Sequence, residues 1–284
     1  MGKVRADLWR SGVLPDSLRS IAVGLGCVLM LATAAVDAAG TRDKARPRAR
    51  SQSTKIQYEP PASAQSREIL KALREARFLE SIAADLDGML RLPRALTLRA
   101  RECEEPNAYY NPDNASIELC YNLLPAIEED LLTAGIAEER LEEAVTHVFS
   151  FFLLHELGHA LIDILDLAVP GRQEDVADQL SVYALVEDGD EDGVLAALDG
   201  AAWFGIRSHR TDAASAFWDS HSLDAQRYYN INCWVYGSNP EALAHVPEDS
   251  GLPLSRSVDC PRDYQNLKRF WDRALEKFLV QPRR

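Results

Sequence analysis

Phe151-Phe152-Leu153-Leu154-His155-Glu156-Leu157-Gly158-His159-Ala160-Leu161-Ile162 is the stretch on which the reading of this chain turns. From Leu141 to Leu167 the only Pro or Gly is Gly158, and Pro170-Gly171 closes the run. The near-continuous apolar pattern predicts one long, largely buried helix. On a helix, residues four apart lie one above the other, so His155 and His159 share a face. Burying two imidazoles and a carboxylate without partners is costly. A core in which each finds its own hydrogen bond is the plain alternative, and a shared cation satisfies all three at once. Glu156, rotated roughly 100° from His155, falls beside the position that a coordinated water takes. Zinc lowers the pKa of such a water to about 7, within reach of a neighbouring carboxylate acting as general base.

A catalytic zinc of this kind takes a third protein ligand and leaves one position open. Asp163 lies on the same face as His155, but eight residues of helix rise about 12 Å, too far for one ion. It is read as a helix-face or supporting carboxylate. The stronger candidate is Glu174, near the start of a second helix in Arg172-Gln173-Glu174-Asp175-Val176-Ala177-Asp178-Gln179-Leu180-Ser181. Glu174, Ala177, Asp178 and Ser181 fall on one face of it. Asp178, a turn after Glu174, is placed to accept the second ring N–H of a ligand histidine, and Ala177 permits close packing of the two helices. The ordinary alternative is an acidic helix start, since carboxylates favour helix N-termini.

His155-Glu156-x-x-His159 followed by Glu174-x-x-x-Asp178 resembles the gluzincin branch of zinc metallopeptidases, with a shorter gap between the second His and the Glu than in thermolysin. More closely, Phe151 to Ser181 resembles a family of uncharacterised bacterial metallopeptidases. The likeness extends to Asn107-Ala108-Tyr109-Tyr110-Asn111-Pro112, to Ile117-Glu118-Leu119-Cys120-Tyr121, and to the run from His221 to Ile231. It implies a zincin architecture in which the edge of a small sheet holds an extended peptide by main-chain pairing. An ordinary structural hairpin is the competing reading of those strands. The likeness also implies that a distant side chain donates to the oxyanion of the reaction. His221, near Asp219, and Arg227 are the candidates here. The rival reading is local, with His221 capping a helix and Arg227 paired with an acidic neighbour. His147, two turns before His155, is read as a core or supporting histidine.

Residues 1–38 read as a secretory signal peptide: Lys3, Arg5, Arg10 and Arg19 precede an apolar run from Ile21 to Val36, and small residues follow. An uncleaved anchor is the alternative, although Gly24 and Gly26 make the run marginal as a membrane span. Residues 39–62 read as a basic linker containing Pro and Ser, and residues 63–284 as one domain. With +1 in residues 1–38 and +5 in residues 41–55, the remainder of a chain of net charge −13 carries about −19. That balance argues for solubility and against nucleic-acid binding. Without Cys27, four cysteines remain, which in an exported chain suggests two disulfides. Three pairings are possible, and local loop closure favours Cys103 with Cys120 and Cys233 with Cys260.

Periodicity predicts an amphipathic helix over Ser66 to Leu90, strands at Ala95–Arg101 and Ala115–Tyr121 around a turn at Asn111-Pro112-Asp113-Asn114, and mostly helix after Asp178. Breaks fall near Gly189 and after Arg207. Ser222 is a candidate cap for a helix running to Tyr236, and the last helix is expected over Asp263 to Leu279. The fold class is therefore α+β, mostly helical and zincin-like, with a small sheet beside the metal-binding helix. The functional expectation is an exported, periplasmic or secreted zinc metallopeptidase acting on peptide or protein substrates, with one zinc per chain. His155, His159 and Glu174 would be its ligands, Asp178 their support, Glu156 the base, and His221 or Arg227 an assisting group. A non-catalytic, zinc-clamped envelope binding or scaffold protein is the alternative from another class. A zinc amidase acting on a cell-wall or other non-peptide amide is a third.

Overall fold

The computed structural model describes residues 53–187, 189–209 and 217–280. The expected signal peptide and most of the expected linker lie outside the described residues. Lys55–Tyr58, inside the stretch read as linker, forms strand β1 and pairs parallel with β2, Thr97–Arg101. It is a mostly exposed edge strand of four residues, too short and polar to stand out as a strand in the sequence.

The four-stranded sheet has the order β1-β2-β4-β3, with β3 at Ala108–Asn111 and β4 at Ser116–Cys120. The two strands expected from the sequence do lie side by side, but they run parallel, Thr97 facing Ser116 and Arg101 facing Cys120. They are not a hairpin. The chain reverses at the Asn111–Asn114 turn into β4 from the unanticipated β3, which pairs antiparallel as the second edge. Every residue of β4 is buried, as befits a central strand, whereas β2 alternates. Leu98 and Ala100 of β2 face the core, and Arg99 and Arg101 converge on the buried Glu118 of β4 at 3.0 and 2.7 Å.

The apolar stretch expected as a single helix over Ser66 to Leu90 is two helices, α1 (Ala64–Glu75) and α2 (Phe78–Met89). Arg77, at φ 54°, adopts the left-handed conformation between them. The cause lies in the spacing. Ile69 and Leu73 are four apart, but Phe78 follows at five, which turns the second apolar set roughly 140° around a continuous helix. The break returns both sets to the core.

After β4 come α3 (Leu123–Thr133) and α4 (Glu138–Ile164). The 27-residue α4 is the rod around which the rest is built. It packs on α3, on α5 (Gln173–Val186), on α6 (Glu191–Ser208), and on β3 and β4. Among the described residues α4 alone is long and apolar enough to cross a membrane, but 89% of its apolar window is buried inside the fold, so it is a core helix. Gly158 is what lets α5 approach. A Cβ there would stand 2.8 Å from the Ala177 Cα.

α7 (Asp224–Ser238) lies on α5 and α6. Ser222, expected as its cap, donates instead to Asp175 Oδ1 at 2.6 Å, and the α7 N-cap is Leu223. Two single-turn helices, α8 (Val246–Asp249) and α9 (Leu254–Ser257), lead to α10, Cys260–Leu275. The last helix thus starts and ends earlier than the sequence suggested, because Cys260 and Pro261 open it. Disulfides join Cys103 to Cys120 and Cys233 to Cys260, the pairing that local loop closure favours. Two bridges suit an oxidising compartment.

Candidate metal centre

The i, i+4 spacing on α4 and the close approach of α5 bring three donor atoms to one point. His155 Nε2 and His159 Nε2 are 3.2 Å apart, and Glu174 Oε2 lies 3.2 and 3.1 Å from them. Asp163 is not among them. It turns away to Arg94 and to Tyr110, whose hydroxyl donates to Asp163 Oδ2 at 2.6 Å.

The opposite edge of each imidazole is tied down. His155 Nδ1 meets Asp178 Oδ1 at 2.8 Å, and His159 Nδ1 meets Gln173 Oε1 at 2.8 Å. Both partners are acceptors, which sets each Nδ1 as the N–H and turns an Nε2 lone pair inward. Two lone pairs and a carboxylate oxygen then face one another within about 3 Å. That arrangement repels unless positive charge sits between them. Atoms so spaced are all reached from a single point about 2.0–2.1 Å away, the length of a zinc bond to imidazole or carboxylate. The donor chemistry and spacing therefore fit one divalent cation.

Asp178 is fully enclosed and does not stand alone. Arg227 forks onto it through Nε at 2.8 Å and Nη2 at 2.6 Å. Burial pushes the Asp178 carboxyl up, but Arg227 and His155 outweigh it and leave the pKa at about 2. The guanidinium also stacks on Phe204, 3.8 Å from the ring centroid. For Glu174, burial is likewise outweighed, here by contacts to three imidazoles, and its carboxyl is held well below the usual range. Burial pulls His155 down, while Asp178 and Glu174 raise it further, to about 9. The repulsion that a cation relieves shows itself here as a grip on protons.

The third imidazole on Glu174 is His221, whose Nε2 is 3.0 Å from Glu174 Oε2. Its Nδ1 lies 2.9 Å from Asp219 Oδ1. The sequence singled out His221 and Arg227 for one role, but the structure separates them. His221 faces the donor set, and Arg227 stands behind it on Asp178.

Glu156 is buried on the wall of a cavity of about 690 Å³ that also exposes Tyr110, Phe152, Trp203, Arg207 and His221. Burial raises its carboxyl, opposed by His155, His159 and the backbone N–H of Tyr110. Gln173 and Tyr110 were missed in the sequence. Gln173 borders Glu174, so its side was predictable, whereas Tyr110 reaches the site only through the topology of the sheet.

A second group, Glu143, His147 and Asp192, sits two turns up α4. His147 is enclosed, with Nδ1 2.7 Å from Asp199, and Arg140 pairs with both Asp199 and Glu143. Arg140 already supplies positive charge there, as suits the supporting role read for His147.

No curated protein and no solved structure matches this chain. Residues 58–275 match the profile of a family described as "Putative metallopeptidase". The matched region contains the helix pair, strands β2 to β4 and the donor set, and the chain belongs to that metallopeptidase family.

Proposed function

We propose that this protein is an exported zinc peptidase in which His155, His159 and Glu174 hold the metal. The observation that carries the reading is the convergence of three donor atoms 3.1–3.2 Å apart at the wall of an open cavity. A zinc ion held there supplies Lewis acidity toward the scissile carbonyl and lowers the pKa of a coordinated water.

The chain's own residues do the rest. Glu156 takes the proton of the attacking water and hands it to the leaving amine. Its carboxyl, raised by burial, moves toward the range in which a general base works at neutral pH. The open edge of β3 offers main-chain groups to an extended peptide. His221 faces the donor set and, when protonated on both ring nitrogens, donates to the developing oxyanion. Arg227 is a positioning residue that acts through Asp178 on His155. A closed structural site is the rival that the nearness of His221 to Glu174 favours. The cavity beside Glu156 favours catalysis.

The experiment is Glu156→Gln in the mature chain. One zinc per chain is expected to stay bound, while cleavage of a peptide library falls on the order of 10²–10⁴-fold. Unchanged turnover, or a wild type that binds no metal, overturns the reading.

A further inference from the structure

The geometry points to His221 as a fourth, displaceable donor to the metal. We propose that the resting site is closed by three imidazoles and one carboxylate, and opens when substrate displaces His221. The inference rests on the zinc-peptidase reading of the same site and adds to it how access is controlled.

Three observations support it. First, His221 Nε2 lies 3.0 Å from Glu174 Oε2, the oxygen that stands 3.2 and 3.1 Å from the other two Nε2 atoms. Ligand atoms of a four-coordinate zinc lie roughly 3.3 Å apart, so all three imidazole contacts to Glu174 are near that spacing. His155, Glu174 and His221 by themselves form a compact candidate donor group. Second, His221 is oriented as a ligand is. Its Nδ1 meets Asp219 Oδ1 at 2.9 Å, as that of His155 meets Asp178 and that of His159 meets Gln173. An oxygen behind each ring directs the far nitrogen inward.

Third, His221 differs from the other donors in how it is carried. His155, His159 and Glu174 belong to packed helices, with side chains 4%, 12% and 16% exposed, whereas that of His221 is 46% exposed. It stands on the connection ahead of α7. The main chain there is fastened to α5, since Arg172 Nη1 donates to the His221 carbonyl at 2.8 Å and Ser222 binds Asp175. The ring can therefore swing into the cavity while its backbone stays in place. Its withdrawal would free one position for the coordinated water of the proposed reaction, while the ring stays on the cavity wall.

Counting imidazoles on the metal tests this by X-ray absorption of the zinc-loaded full chain, supported by the visible spectrum of the cobalt(II) form. Wild type is expected to show three imidazole nitrogens. His221→Ala should keep one metal per chain but show two imidazoles and an added oxygen, and should bind azide about tenfold more tightly. Acetohydroxamate added to wild type should lower the count from three to two, a readout that needs no variant to fold. Two imidazoles in wild type, unchanged in His221→Ala, overturn the proposal and leave the zinc-peptidase reading standing. A chain that takes up no metal overturns both.

Discussion

His155 is the residue on which the site turns, because its two nitrogens do different work. One faces the donor set, and the other is fixed by Asp178, which Arg227 neutralises from behind. Removing the charge of Asp178 while keeping its size, in Asp178→Asn, is expected to weaken metal binding about 10- to 100-fold. Competition with a chelator under equal loading measures this. Arg227→Met takes the guanidinium from the buried Asp178 carboxylate, which keeps its contact to His155, and should cost roughly 3–5 kcal/mol of stability, read by urea denaturation. Much of this layer was legible in the sequence, since helical spacing alone sets His155 over His159 and Glu174 over Asp178. The Phe204 ring beneath Arg227 and the Tyr110 N–H on Glu156 were not legible. They join segments far apart in the chain, and no local pattern records such contacts.

At the level of elements, the α4–α5 contact and the sheet carry separate loads. Gly158→Ala would set a methyl 2.8 Å from the Ala177 Cα, backbone that cannot step aside. Overpacking of this kind costs about 1–3 kcal/mol, against a gain of up to about 1 kcal/mol for Ala over Gly in a helix. A net loss in melting temperature, together with weaker metal retention, is the expected result. In the sheet, burial raises the Glu118 carboxyl, but Arg101, Tyr109, Ser116 and Arg99 outweigh it and lower its pKa. A carboxyl depressed by folding adds stability above its unfolded pKa of about 4.3. That contribution is lost as pH falls through the lower folded value. Glu118→Gln should therefore destabilise at pH 7 and flatten the acid limb of stability, as denaturation at pH 3, 5 and 7 will show. The long helix was readable because its apolar run is extended. β1 and β3, four residues each, are too short for an alternating pattern to emerge, and their pairing is set by partners distant in sequence.

Across the described residues, segments far apart in the chain are tied together. Arg91 N–H donates to the Phe278 carbonyl at 2.7 Å and Val280 N–H to that of Met89 at 2.8 Å, so the exit from α10 closes on α2. The Cys233–Cys260 bridge fastens α7 to α10 across a separation of 27 residues. Replacing both cysteines with serine should cost about 3–4 kcal/mol, or roughly 10 °C in melting temperature for a domain of this size. Calorimetry of the variant against wild type, with and without reductant, measures it. Sequence reading reached the α+β class and the helix pair because these rest on composition and period. The parallel order of the strands escaped it, being a property of the complete topology.

Tyr110 also ties two elements of the site to each other. Its hydroxyl, with Arg94, joins the outer strand to Asp163 near the end of α4, and burial and Asp163 push its pKa up to about 12, so the phenol keeps its proton at any physiological pH. If the cavity takes an extended peptide as proposed, this tie joins the strand that would pair with it to the helix that carries Glu156, so that substrate and base would be held in one frame.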